Sequence, residues 1–159
     1  IIIASHDGKC IRFSENDVRA MGRDTQGVRI MLLNDGDYVV DMAVIKNGSQ
    51  ILTISENGFG KRSDPSDYRL QTRGGKGIKA GVFNSKTGKL VNLKQVKNDE
   101  DVIIITDNGT IIRLQSTEIS KIGRDTQGVR IMRIKDDNYK VVCASVTTHE
   151  EIEEYEDEE

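Results

Sequence analysis

Arginine or lysine returns at three places in each of three segments of this chain: Arg12, Arg62 and Arg113, then Arg23, Arg73 and Arg124, then Arg29, Lys79 and Arg130. Recurrence of that kind puts like charges on matching faces of successive structural units, and a row of guanidinium and ammonium groups neutralises a row of anions. Lys61, Arg69, Lys76 and Lys121 lie close by and extend the basic set, which is densest in the middle segment. Gly74 and Gly75 offer a second means of holding an anion, because glycine lets backbone N–H groups approach a phosphate and permits the φ such a loop needs. The competing reading of the glycines is that they only make turns between units. For the arginines it is a solvated face, which threefold recurrence disfavours. A nucleotide-binding phosphate loop is excluded, since Leu70 stands where that motif needs glycine and Gly77 follows Lys76 where it needs a hydroxyl residue.

The elements that must position these residues follow from the repeat itself. Residues 22–31 recur unchanged at 123–132, and 72–80 stands midway in the same register, so the period is roughly 50 residues. Asp7-Gly8, Asn57-Gly58 and Asn108-Gly109 each interrupt an apolar run, which predicts a β-hairpin with a type I′ turn. Polar stretches at 14–17, 64–67 and 117–118 carry helix-capping chemistry and predict a single helical turn. Two β-rich segments close each unit: 28–33 with 38–44, 78–83 with 90–96, and 129–134 with 139–146. Four strands per unit predict an all-β, propeller-like array of three four-stranded blades at about 1–48, 49–98 and 99–148. Tyr68 and Phe83 are expected in the core rather than as stacking platforms.

Composition narrows the function. The net charge of -3 hides a division: positions 150–159 hold eight of the 26 acidic residues and no basic one, so 18 acidic residues face 23 basic ones in 1–149, a balance of +5. The body suits a polyanionic partner, and the acidic tail, 149–159, reads as a separate, solvated and disordered segment able to compete with that partner. Apolar runs such as 102–105 fall far short of the ~20 residues that cross a bilayer, and no leader pattern opens the chain, which reads as cut from a longer protein. Cys10 and Cys143 do not share a repeat position, so reduced thiols in the cytoplasm are expected; with only His6 and His149 besides, no metal site is expected. No nucleophile–base pair or paired carboxylates recur, so the segment is expected to contain no catalytic residue.

The run Gln71-Thr72-Arg73-Gly74-Gly75-Lys76-Gly77 closely resembles the diagnostic box of the DNA-wrapping domain of the gyrase A protein, which runs Gln, basic, Arg, Gly, Gly, basic, Gly. Six of seven positions match, with Thr72 in place of a basic residue. The repeats at 22–31 and 123–132 resemble that family's degenerate boxes. The resemblance implies a six-bladed β-pinwheel whose blades exchange a strand, with residues 1–148 corresponding to its last three blades and the family's full box upstream of Ile1. It further implies that duplex DNA is bound, bent and wrapped, and that the rest of gyrase A and gyrase B use ATP and magnesium elsewhere in the holoenzyme to supercoil it. The family's active-site tyrosine lies in another domain, so Tyr38, Tyr68, Tyr139 and Tyr155 do not inherit its role. A half-ring leaves open sheet edges, and self-association is a further expectation. The related topoisomerase IV domain is the nearest alternative. A protein-binding propeller is disfavoured by the absence of Trp and only 4% aromatic residues.

Overall fold

The computed structural model of the chain describes residues 1–134 and 139–150. Its strands are β1 (Ile2–Ser5), β2 (Lys9–Arg12), β3 (Val39–Ala43), β4 (Gln50–Ser55), β5 (Phe59–Ser63), β6 (Ile78–Lys79), β7 (Leu90–Val96), β8 (Glu100–Thr106), β9 (Ile111–Gln115), β10 (Val129–Arg130) and β11 (Val141–Thr148). They form antiparallel sheets in the orders β3-β1-β2-β6, β10-β5-β4-β7 and β11-β8-β9. The all-β expectation holds, but the fourth strands do not stay with their own units. β6 comes from the second unit and pairs with β2 of the first, Cys10 opposite Ile78; β10 comes from the third and pairs with β5 of the second, Gly60 opposite Val129.

Strand lending corrects the expected strand at 28–33. That stretch has the same sequence pattern as β6 and β10 but lies beside no preceding sheet among the described residues, and it carries no strand pairing. For the same reason the third sheet has three described strands, since the described residues hold no following unit to supply a fourth. An isolated strand of two or three residues cannot hold its conformation without a ladder to join.

The hairpin turns are not of type I′. The first two loops have three residues and the third four, and Gly8, Gly58 and Gly109 take φ of 88°, 79° and 84°, while no described non-glycine residue has positive φ. Their amides donate to Ser5 O, Ser55 O and Thr106 O at 3.0, 3.1 and 3.1 Å. This is the turn followed by a left-handed glycine bulge, which adds local right-handed twist. The single helical turns appear as 3-10 turns at Glu15–Asp17, Pro65–Asp67 and Ser116–Glu118, the first two capped by Ser14 and Asp64 side chains.

Two-residue periodicity places the cores between sheets. Ile2 and Ala4 face the second sheet and bury against Ile51, Tyr68, Ala80 and Leu90, with Phe83 packed at the margin. Leu52 and Ile54 point the opposite way and bury against Val102, Ile104, Ile119 and Met132 of the third unit. Ile3, Ile11, Phe13 and Met31 close the far face of the first sheet. Each sheet therefore has a neighbour on at least one side, and β3, β7 and β11 pack along one another on the inner side of the arc. β6 and β10 stand at the opposite, outer edge.

Candidate nucleic-acid interface

The recurrent basic registers separate into joints and rim. Arg12 reaches forward and donates to Pro65 O and Tyr68 O of the second unit at 2.9 and 3.1 Å. Arg62 does the same one unit on: it is 7% exposed and donates to Ile119 O at 2.8 Å, to Gln50 Oε1 at 3.1 Å and to Asn98 Oδ1 at 2.8 Å. Arg113 has no following unit among the described residues. It turns onto its own sheet, pairing with Asp101 Oδ2 at 2.8 Å and donating to Thr148 O at 3.2 Å. Burial would raise the Asp101 carboxyl, but hydrogen bonds from Arg113 and His149 outweigh it and hold the group below its ordinary value.

The second register reaches backward. Arg73 donates to Asp17 O at 2.8 Å and to Arg29 O at 3.1 Å, both in the first unit. Arg124 repeats the contact on Asp67 O at 2.9 Å and on Lys79 O. Each sheet joint is thus sewn from both sides by guanidinium groups on backbone carbonyls of the neighbouring unit, most of them at its 3-10 turn, a charge-assisted contact. Arg23, the first-unit member, is exposed and has no such partner among the described residues.

Lys61 is also a joint residue and not a surface cation. It is 2% exposed, and its Nζ donates to Arg124 O, to Thr126 O at 2.8 Å and to Thr126 Oγ1 at 3.3 Å, beneath the loop that precedes β10 in the third unit. Burial pushes its ammonium down to about 8, offset only in part by Asp125. The expectation of one continuous stripe built from all three registers is corrected accordingly: Arg12, Lys61 and Arg62 face inward, and Arg73, Arg113 and Arg124 are engaged at joints or on their own sheet.

What remains on the outer edge is the third register. Lys79 on β6 and Arg130 on β10 are exposed, as is Arg29 at the matching position. Arg130 lies 5.3 Å from the centre of the Phe59 ring, a cation–π contact that orients it. Arg69 and Lys76 are exposed with no ion pair among the described residues, and Lys121 sits 3.7 Å from Asp64 Oδ2. Two cations outside the recurrent registers, Lys86 and Lys140, share a cleft with Arg130. Register reasoning misses them because neither has a counterpart charge in all three units.

The glycine-rich loop serves packing first. Gly74 donates its amide to Ile30 O and Gly75 accepts from Leu32 N at 2.8 Å, so both are tied to the first unit. Gly77 takes φ of 70°, and a Cβ there would run into Cys10 O; at Gly128, φ 85°, it would lie 2.8 Å from Gly60 O. These glycines let the lent strands approach the preceding sheet, which decides for turns and joints at Gly77 and Gly128. Cys10 is buried and Cys143 exposed, with no disulfide, and no cluster of metal-ligating groups occurs among the described residues. No described helix is long and apolar enough to cross a membrane.

Comparison with known proteins agrees with this architecture. The family model described as DNA gyrase C-terminal domain, beta-propeller, matches residues 1–46, 49–97 and 100–148. The DNA gyrase A protein of Staphylococcus aureus (strain NCTC 8325 / PS 47) is 41% identical over 161 residues, covering 100% of this chain and 18% of that protein. The same protein from strain MRSA252 is also 41% identical over 161 residues. A solved DNA gyrase A C-terminal domain superposes with TM-score 0.84 at 30% identity, covering 92% of this chain and 50% of that one. The C-terminal domain of a DNA topoisomerase IV superposes with TM-score 0.85 at 17% identity, covering 92% of this chain and 46% of that one, a likeness of fold alone. The chain spans 18% of the length of the curated relative it matches. With its three matched segments and its lent strands, this chain belongs to the DNA gyrase C-terminal domain family of β-propeller folds.

Proposed function

We propose that this chain binds and bends duplex DNA along its outer edge, and so supports negative supercoiling by a gyrase holoenzyme that consumes ATP and uses magnesium in other domains. The observation that carries this reading is the division of labour among the cations. Most cations of the joint registers are engaged within the fold, whereas Lys79 and Arg130 recur on outermost strands with exposed side chains, and Arg29 is exposed at the matching sequence position. Recurrence at an edge without an internal partner suits contact with a regularly charged polymer, because phosphates present one negative charge per ~1.7 Å of duplex axis. Curving 20–30 base pairs by 40–90° costs of order 1–6 kcal/mol, which phosphate neutralisation and counterion release offset.

Binding of this kind is sequence-tolerant and salt-sensitive, and the chain acts with gyrase B and the remainder of gyrase A in the cytoplasm. Arg23, Arg69 and Lys76 are auxiliary phosphate contacts. Chemistry on the DNA strand belongs to another domain of the whole protein. Salt titration of linear duplex binding tests the reading: salt-independent binding by the wild-type chain overturns it, and a slope unchanged in Arg29→Ala/Lys79→Ala overturns the part given to this register.

A further inference from the structure

The outer edge is not uniform. Between the second and third units lies a cleft of about 450 Å³ lined by Asn57, Ser85, Lys86, Arg130, Tyr139 and Lys140 among others. Three of these are cations, and no carboxylate lines the cleft among the described residues. Glu56 and Asp107 are held against Lys140, at 3.6 Å from its Nζ and 2.9 Å from its amide, and neither enters the lining. Glu56 is shared further, accepting from Lys89 N at 3.0 Å and meeting His6 Nε2 at 3.2 Å. Among the described residues an excess of positive charge therefore faces the cleft.

The cations are held in place before any ligand arrives. Asn57 Nδ2 donates to Ser85 O at 3.2 Å and Lys86 O at 3.1 Å, while Asn84 Oδ1 accepts from Lys86 N at 2.9 Å and Thr87 N at 3.2 Å. That network fixes the turn carrying Lys86. Lys86 and Arg130 then stand 5.6 and 5.3 Å from the centre of the buried Phe59 ring. Ordering three cations toward one space costs electrostatic repulsion, and an anion held between them relieves it.

The equivalent junction between the first and second units lacks the feature. Asp7 stands where Asn57 stands, and it neutralises Lys89, the counterpart of Lys140, at 2.8 Å. The Phe83 ring packs over Gly8, whose Cβ it would obstruct, and the remaining space is about 170 Å³. Fold symmetry alone thus does not create the cleft; particular residues of the second and third units do.

We propose that this cleft is a seat for one phosphate of the DNA backbone, held by Lys86, Arg130 and Lys140, and that the duplex is anchored there more firmly than elsewhere along the edge. The proposal rests on the DNA-binding reading and adds a fixed point to it. Inorganic phosphate is the first probe, followed by amide chemical shifts in the 159-residue chain. Saturable shifts at Asn57, Ser85, Lys86 and Lys140, abolished in Lys86→Ala/Lys140→Ala, are expected; linear shifts spread over every exposed lysine overturn the seat. Duplex DNA is the second probe. Lys86→Ala/Lys140→Ala should lower the magnitude of the salt slope by about 0.9, the share of the one phosphate seated there, with Lys97→Ala as an unchanged control. A cleft that takes phosphate while both chains bind DNA alike overturns the anchoring. If Lys86→Ala/Lys140→Ala weakens DNA binding and Arg29→Ala/Lys79→Ala does not, the seat stands and the recurrent edge register falls.

Discussion

Replacing Arg29 and Lys79 together by alanine removes two exposed side chains that take no part in the joints. The backbone oxygens of both residues, which accept from Arg73 and Arg124, are retained, so the joints survive the change. Each phosphate contact contributes about 0.9 to the slope of log K against log salt, so the double variant should lose about 1.8 of it. Between 50 and 200 mM salt, a fourfold change, the wild-type chain should then lose about twelvefold more affinity than the variant. Fluorescence anisotropy with a linear duplex, run across that range of salt, reads both slopes directly. Equal melting temperatures for the two chains would show that the fold is intact. Parallel lines in the salt plot would mean that these side chains meet no phosphate, and the rim assignment would be refuted.

Arg62→Met should cost about 3 kcal/mol in urea unfolding, since a buried charged donor leaves three oxygens unpaired; Arg113→Met, half-exposed and without a following unit, should cost much less, and equal losses would refute the joint role. Gly77→Ala should destabilise by more than about 2 kcal/mol because strain at positive φ is joined by collision with Cys10 O, whereas Gly36→Ala, at φ 78° with open space, should cost about 1 kcal/mol. The Lys61 ammonium is disfavoured in the fold, so the folded chain releases this proton before the unfolded chain, and its contribution to stability rises between about pH 8 and 10.5. The stability difference between wild type and Lys61→Met should climb across that window and stay flat below it. Cys10, pushed up to about 12 by burial, acts in the opposite sense above 9, which is why the difference and not the raw curve is the measure; a flat difference contradicts the burial argument. Deleting residues 150–159, of which 151–159 lie outside the described residues, should tighten DNA binding at low salt if the tail competes for the edge, and equal binding would remove that idea.

Residue pattern alone was enough for the repeat, the all-β class, the hairpins, the helical turns and the placing of Tyr68 in the core. Those features are local: a glycine after Asp or Asn, a capping residue before a polar turn and a two-residue apolar period act within a few positions, and three copies reinforce one another. The turn type was not legible, because Asp-Gly and Asn-Gly serve both a two-residue loop and a three-residue loop with a glycine bulge. Nor was the home of the fourth strand, since Val28-Arg29, Ile78-Lys79 and Val129-Arg130 look alike and only the last two find a preceding sheet. The same limit governs the cations. Arg12 and Arg29 are the same residue type, recur with the same period, and differ in role because one meets carbonyls at the next unit's 3-10 turn while the other's side chain is left exposed. Whether a guanidinium grips its own protein or is left for a phosphate depends on which oxygens lie within about 3 Å of it, and only the packing of one unit on the next brings those oxygens there.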